Sequence, residues 1–285
     1  MPYKAEISRN NPGCFLFVID QSGSMVELLP NGKTKAKNVA DTINRFFQNL
    51  IIKCAKSEGI RDYFYVGVIG YGQNDKVLSA FEGDLAGKEL VPISEVAHHP
   101  LEIQEREQQI DDGRGNLLMQ KIKLPIWFNP IADGHTPMKE SFGLVNRVVS
   151  NWLNQNPNCF PPLIIHITDG ASTDGDPSME MKKLIGQSSI DGNVLLFNLH
   201  LSSGGSAEPI FFPSNTEGLP DEYAKMLFEN SSILTSKMIA LSKEEYSTDF
   251  PSNSRAFVFN GDISAIIKAL EIGTRPSIDK NPDAL

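Results

Sequence analysis

Runs of apolar residues that end in a carboxylate predict two central strands. Residues 14–20 read CFLFVID and residues 163–169 read LIIHITD. A strand that is apolar on both faces is typical of a parallel sheet covered by helices on both sides. Further strands are predicted where β-branched and aromatic residues cluster, at 63–70, 194–201 and 255–259. A weaker segment at 77–81 predicts one antiparallel edge strand.

Helical periodicity separates these strands. Between residues 34 and 54, apolar side chains recur every three or four positions, which predicts a helix with one buried face. The same pattern returns at 138–152, after Pro137. Shorter helices are predicted at 178–190, 221–229, 232–241 and 262–272. Strands that alternate with helices predict an α/β fold, with a doubly wound, mainly parallel sheet and helices on both faces.

We expect one domain over residues 14–272, after an N-terminal extension at 1–13 and before a polar tail at 273–285. The periodic pattern weakens between about residues 82 and 116, where 102–109 is polar and 111–115 is a turn cluster. We interpret this segment as a surface insertion, and not as a separate domain.

Composition narrows the classes of partner. The 285 residues carry 26 Lys and Arg against 35 Asp and Glu, a formal charge of −9. A field of that sign repels polyanions, so nucleic acid is excluded as the main partner. The sequence contains no run of about 18 apolar residues, so no membrane span is predicted. The start of the chain lacks a secretory signal and the three cysteines form no CxxC pair, so we expect reduced thiols and a cytoplasmic protein.

Three segments bring oxygen-bearing side chains to the predicted carboxyl edge of the sheet, where doubly wound folds bind ligands. They are Asp20-Gln-Ser22-Gly-Ser24, Gly134-His-Thr136-Pro137 and Thr168-Asp169-Gly170. Hydroxyl and carboxylate oxygens are hard donors, which suit Mg²⁺, Mn²⁺ or Ca²⁺ rather than zinc. Taken singly, each segment also fits a helix N-cap or an Asx turn without a metal.

The motifs DQSGSM, GHTPM and ITDG, in this order, resemble the von Willebrand factor type A domain and its metal-ion-dependent adhesion site. The resemblance implies a Rossmann-like fold and five metal ligands, namely Asp20, Ser22, Ser24, Thr136 and Asp169. In that family the hydroxyls tend to touch the metal, while one or both aspartates act through water. A cation held mostly by neutral hydroxyls keeps much of its charge and accepts a carboxylate from a partner.

The function implied by this resemblance is docking without catalysis. The chain would bind an Asp or Glu of another protein through Mg²⁺, or through Mn²⁺ or Ca²⁺. Similar bacterial cytoplasmic proteins are grouped with tellurite resistance and with kinases or phosphatases, which implies a regulatory or stress-response system. His135, at the rim, and Phe211 and Phe212, in the 202–219 loop, are candidate partner contacts. The alternative for the two phenylalanines is packing beneath their own loop.

Two other functions stay open. Asp20 could be the nucleophile of a magnesium-dependent phosphohydrolase or phosphotransferase, in an arrangement that resembles haloacid dehalogenases. That arrangement places a second aspartate two residues later, and Ser22 stands there instead. Alternatively, the metal could serve folding alone.

Overall fold

The computed structural model describes residues 2–111, 117–201 and 208–278. The helices are α1 Lys35–Cys54, α2 Ile93–His98, α3 Met138–Gln155, α4 Ser178–Gly186, α5 Glu222–Glu229, α6 Ser236–Tyr246 and α7 Ile263–Ile278. The strands are β1 Gly13–Asp20, β2 Ala55–Lys56, β3 Gly59–Ile60, β4 Phe64–Tyr71, β5 Val77–Ser79, β6 Val91–Pro92, β7 Glu102–Asp111, β8 Leu117–Ile126, β9 Leu163–Thr168, β10 Ser188–Ser189, β11 Gly192–Asn193, β12 Leu195–Leu201, β13 Ile210–Phe211 and β14 Phe257–Gly261.

The main sheet has the strand order β13-β14-β12-β9-β1-β4-β5, with β6 also paired to β4. The pairs that involve β14, β12, β9, β1 and β4 with one another are all parallel. The predicted α/β class and the mainly parallel sheet are confirmed. Strand β5 is the expected antiparallel edge strand, and β13 adds a second one at the opposite edge. With two residues, β13 is too short for its pairing to be predicted from periodicity.

Helices cover both faces because the central strands are apolar on both sides. Along β1, Phe15 and Phe17 pack into one buried cluster while Leu16 and Val18 pack into the other. The first cluster includes apolar side chains of α1, α6 and α7, and the second includes those of α3, α4 and α5. Because successive side chains of β1 point to opposite faces of the sheet and are apolar on both, each face is covered by a layer of helices.

The segment expected to be a surface insertion, at 82–116, is in part built into the core. Leu85, Val91, Ile93 and Val96 are buried in the cluster beside α1. Their apolar positions are spread over a short turn, a two-residue strand and a six-residue helix, so no single periodicity indicates their burial. Farther along, β7 and β8 pair as a long antiparallel ribbon outside the main sheet.

A buried polar chain crosses the sheet beneath its carboxyl edge. Tyr71 Oη lies 2.8 Å from His166 Nε2, and His166 Nδ1 lies 2.8 Å from Asn198 Oδ1. Asn198 Nδ2 donates to Ser231 Oγ and to a backbone carbonyl, so its Oδ1 accepts from His166. Burial lowers the pKa of His166 to about 4. Because the pKa is about 6.5 in the unfolded chain, the neutral imidazole stabilises the fold above that pH, and this contribution is lost as the pH falls towards 4.

The winding of the chain reverses at one point of the sheet. After β1 the chain forms β4 on one side of it, and β9, β12 and β14 follow on the other side. The carboxyl ends of β1 and β9 are therefore neighbours at the place where the winding reverses. Among the described residues, no helix has the length and apolar character needed to cross a bilayer.

Candidate metal centre

The turn after β1 is built around the carboxylate of Asp20. Asp20 Oδ1 accepts from the backbone N–H of Ser22 at 2.9 Å, and Oδ2 accepts from Thr168 Oγ1 at 2.9 Å. Burial raises the pKa of this carboxyl to about 6, against the opposing effect of the Ser22 and Thr168 hydrogen bonds. A buried carboxyl whose ionised form is disfavoured gains stability from a cation placed beside it.

Ser22, Ser24 and Asp169 meet through their side-chain oxygens. The Oγ atoms of Ser22 and Ser24 lie 3.1 Å apart, and Ser24 Oγ donates to Asp169 Oδ1 at 2.7 Å. Ser24 is exposed, whereas Ser22 and Asp169 are buried. Two segments separated by 145 positions therefore present adjacent oxygens at a place that opens to solvent.

The loop that carries Thr136 is tied to the same turn through its backbone. Gly23 N–H donates to Gly134 O at 3.0 Å. Two hydrogen bonds hold the backbone of Thr136 to Thr173. The Thr136 N–H donates to Thr173 Oγ1 at 2.9 Å, and the Thr136 carbonyl accepts from the Thr173 N–H at 2.9 Å. The structure thus brings all three predicted segments to one edge of the sheet, with Thr136 buried beside the opening.

The donor chemistry fits a hard divalent cation. Mg²⁺ takes an octahedron of oxygens at about 2.0–2.1 Å, so oxygens on adjacent corners lie about 2.9 Å apart. The 3.1 Å and 2.7 Å separations at Ser24 are hydrogen-bond distances, and oxygens this close are also compatible with that spacing. In the described residues no three His, Cys, Asp or Glu side chains are grouped to hold a metal, and the predicted set instead combines two carboxylates with three hydroxyls.

The side chain of Lys35 contacts this centre, which the sequence pattern does not indicate. Lys35 Nζ lies 2.8 Å from Asp169 Oδ2 and 2.6 Å from Glu27 Oε2. The Lys35 and Asp169 side chains are 1% and 0% exposed, while Glu27 is 50% exposed. A polar run between a turn and a helix gives no sequence signal that one of its lysines is buried. Thr168 was also missed as a partner of Asp20.

The residues predicted to contact a partner lie in different environments. His135 is exposed at the rim, where its N–H and its Nδ1 both contact Asp75 Oδ1, and the backbone hydrogen bond lowers the pKa of Asp75. Phe211 is half-buried, with its ring 4.7 Å from that of Tyr246. Phe212 is 1% exposed and packs on the Tyr246 and Phe250 rings, so it offers no surface to a partner.

Two exposed apolar side chains beside the centre were not predicted. Val26 and Leu28 follow the Ser22–Ser24 turn and are 60% and 70% exposed. Asp174, near the same rim, accepts from the N–H groups of Lys139 and Glu140 and so caps the start of α3. Val26 and Leu28 are thus exposed apolar side chains that follow the turn in sequence, and the contacts of Asp174 with α3 are those of a helix cap.

Gly134 is expected to be intolerant of a side chain, unlike Gly170. Gly134 has a φ of +76°, and an added Cβ would lie 2.1 Å from Gly72 O. Gly134→Ala should lower the free energy of unfolding by about 2–4 kcal/mol, since a left-handed conformation and a displaced backbone both cost energy. Urea denaturation measures this loss.

The control for this prediction is Gly170→Ala, beside Asp169. A Cβ there meets nothing within 4 Å, and the backbone is outside the left-handed region. Its unfolding free energy should stay within about 0.5 kcal/mol of the wild type. Equal losses in the two variants would show that the close approach of Gly134 to Gly72 does not constrain the Thr136 loop.

Comparison with known proteins gives similarity to solved structures only. No family model matches the chain, and no curated protein matches it. The ArnB paralog VWA2 from Sulfolobus acidocaldarius is 16% identical, with 67% of this chain and 35% of that chain covered and a TM-score of 0.33. The pilus adhesin SpaC from Lactobacillus rhamnosus GG is 13% identical, with 95% and 31% covered and a TM-score of 0.47.

The pilus adhesin RrgA from Streptococcus pneumoniae is 12% identical, with 59% of this chain and 22% of that chain covered and a TM-score of 0.31. The chain therefore spans about a third or less of the length of these three structures. Identities this low carry no site residue from one protein to another, so we draw the function from the chain's own geometry.

Proposed function

We propose that this chain is a protein-interaction module of the von Willebrand factor A type, which binds a carboxylate of a partner through a divalent cation. The observation that carries the proposal is the meeting of Ser22, Ser24 and Asp169. Their oxygens lie at hydrogen-bonding separations beside the solvent-facing opening of the sheet edge. The tie between Gly23 and Gly134 supports Thr136 as a further ligand.

The residues present have a clear division of roles in this proposal. Ser22, Ser24 and Thr136 would hold the cation through neutral hydroxyls. Asp20 and Asp169 would interact with the cation through water. Asp20 orients the turn, because each of its oxygens accepts a hydrogen bond from the chain. A divalent cation held there would supply an exchangeable position for a carboxylate.

The rim supports a partner of mixed chemistry. Ser24 and His135 are polar and exposed, and Val26 and Leu28 are apolar and exposed. An acidic residue flanked by apolar residues would place its carboxylate at the cation and its neighbours on Val26 and Leu28. We therefore favour a segment with one Asp or Glu among apolar residues as the bound element.

The finer parts of the proposal rest on the sequence resemblance alone. They are Mg²⁺ as the cation in cells, a kinase or phosphatase as the partner, and a bacterial regulatory or stress-response system. Phosphoryl transfer by Asp20 gains no support from the sequence, since Ser22 stands where that arrangement needs a second aspartate as general acid.

Cation-dependent peptide binding tests the proposal. Mn²⁺ is titrated into the protein by calorimetry, and a dye-labelled hexapeptide with one central Asp among Ala and Leu is then followed by fluorescence anisotropy. We expect Mn²⁺ to bind, and the peptide to bind with Mn²⁺ but not with EDTA. The matched peptide with Asn in place of Asp should bind at least tenfold more weakly, because it lacks the charge.

Two results would contradict the proposal. The first is the absence of Mn²⁺ binding to folded protein. The second is equal binding of the two peptides, or peptide binding that EDTA leaves unchanged. A cation that serves folding alone would instead raise the thermal unfolding temperature without any effect on the peptide.

A further inference from the structure

A buried lysine lies directly against the proposed ligand set. Lys35 Nζ is 2.8 Å from Asp169 Oδ2, and both side chains are almost fully removed from solvent. A buried ammonium is costly unless a counter-charge and hydrogen bonds compensate it. Asp169 is that counter-charge, so the two side chains form one unit within the candidate centre.

The start of α1 explains how the amine reaches this place. Lys35 is the first residue of the helix, and its backbone N–H donates to Glu27 O at 2.9 Å. Long side chains in a first turn point back towards the N-terminus of the helix. Here that direction leads to the carboxyl ends of β1 and β9. Glu27 Oε2, 2.6 Å away, holds the amine from the solvent side.

The neighbouring lysines do not share this position. Lys33 and Lys37 both pair with Asp41, and their side chains are 50% and 34% exposed. Lys35 alone of these three contacts Asp169 in the described structure. The contact therefore depends on the position of Lys35 at the helix start, and not on a general excess of positive charge around α1.

We propose that Lys35 is a charge-setting and positioning residue of the metal site. It holds Asp169 through Oδ2 and cancels the charge of that carboxylate, so the two aspartates together present about one net negative charge to a cation. This inference rests on the proposed function and deepens it.

The consequence is a cation that is held more loosely but attracts a partner's carboxylate more strongly. Each negative charge removed from the protein side leaves more of the cation's charge for the partner. Glu27 offsets this effect only in part, because its half-exposed carboxylate is screened by solvent and salt. Lys35 thereby favours binding of a partner's carboxylate over tight retention of the cation by the protein alone.

Mn²⁺ affinity, measured by calorimetry at fixed ionic strength, tests the inference. In Lys35→Gln the side-chain amide can still donate to Asp169 Oδ2, but the charge is gone. We expect this variant to bind Mn²⁺ at least tenfold more tightly than the wild type. Lys33→Gln makes the same change of charge two positions away and should stay within about twofold of the wild type.

Lys35→Gln with unchanged or weaker Mn²⁺ affinity would overturn the inference while leaving the proposed function standing. If neither the wild type nor Lys35→Gln binds Mn²⁺, the inference and the proposed function are both contradicted. If only the variant binds, the proposed function is contradicted for the wild type, and the inference is contradicted with it because it rests on that function.

A second neutral variant decides the matter if Lys35→Gln does not fold. Lys35→Met removes the same charge and keeps the long unbranched stem of the lysine in its buried place. We expect it to bind Mn²⁺ at least tenfold more tightly than the wild type. Unchanged or weaker affinity in a folded Lys35→Met variant would overturn the inference.

Discussion

Replacement of Ser22 and Ser24 together by alanine should weaken Mn²⁺ binding at least 100-fold. The two hydroxyls lie 3.1 Å apart, with Ser24 exposed to solvent and Ser22 buried beneath it. Loss of groups that merely orient metal ligands already costs about 10–100-fold in affinity, so loss of two ligands should cost more. Calorimetric titration of Mn²⁺ into the folded variant measures the effect.

The double serine variant should remain folded. It loses the hydrogen bond between the two hydroxyls, worth about 1 kcal/mol, and the bond from Ser24 to the Asp169 carboxylate, worth about 1.5–3 kcal/mol. Its circular dichroism should match the wild type. Ser188→Ala, at an exposed position on β10, is the matched control and should bind Mn²⁺ normally. Wild-type affinity in the double variant would exclude Ser22 and Ser24 as ligands, and a melted variant would favour a structural role.

Asp169→Ala should lower the free energy of unfolding by about 3–5 kcal/mol in the presence of a chelator. The substitution removes a buried counter-charge of Lys35, whose side chain is 1% exposed, and leaves the half-exposed carboxylate of Glu27 beside the ammonium. Removal of one member of a buried pair typically costs this much. Urea denaturation in EDTA separates the effect from any contribution of a bound cation.

Two comparisons identify the cause of that loss. The double variant Asp169→Ala with Lys35→Met buries no charge, so it should regain most of the stability. Glu222→Ala breaks the exposed pair with Lys225, whose length of 2.7 Å is almost the same, and should cost at most about 1 kcal/mol. A double variant as unstable as Asp169→Ala would show that loss of the buried counter-charge of Lys35 is not responsible.

The α/β fold could be predicted because its signals are long and local. The 14–20 and 163–169 runs are apolar on both faces, and the α1 stripe continues for five turns, so strand and helix type follow from periodicity alone. The position of Asp20 and Asp169 at neighbouring strand ends then follows from parallel pairing. The contacts among Ser22, Ser24 and Asp169 agree with that expectation.

The features that were missed depend on contacts between distant segments. Lys35 is buried because Asp169, 134 positions away, pairs with it, and no residue near Lys35 indicates this. Ile93 and Val96 enter the core from a six-residue helix, which is too short for an apolar stripe to develop. From the sequence alone, Phe212 fits both a partner contact and packing beneath its own loop. Its contacts with the rings of Tyr246 and Phe250 decide for packing.

The edge strands of the main sheet are short, which limits edge-to-edge association between molecules. In the described part of the chain, β5 (three residues) and β6 (two residues) both pair with β4 at one edge, and β13 (two residues) forms the other edge. An incoming strand would find few open backbone groups on strands this short, whereas long flat edges act as templates for cross-strand association. The apolar parallel strands at the centre of the main sheet are thereby shielded from such association while the fold is intact.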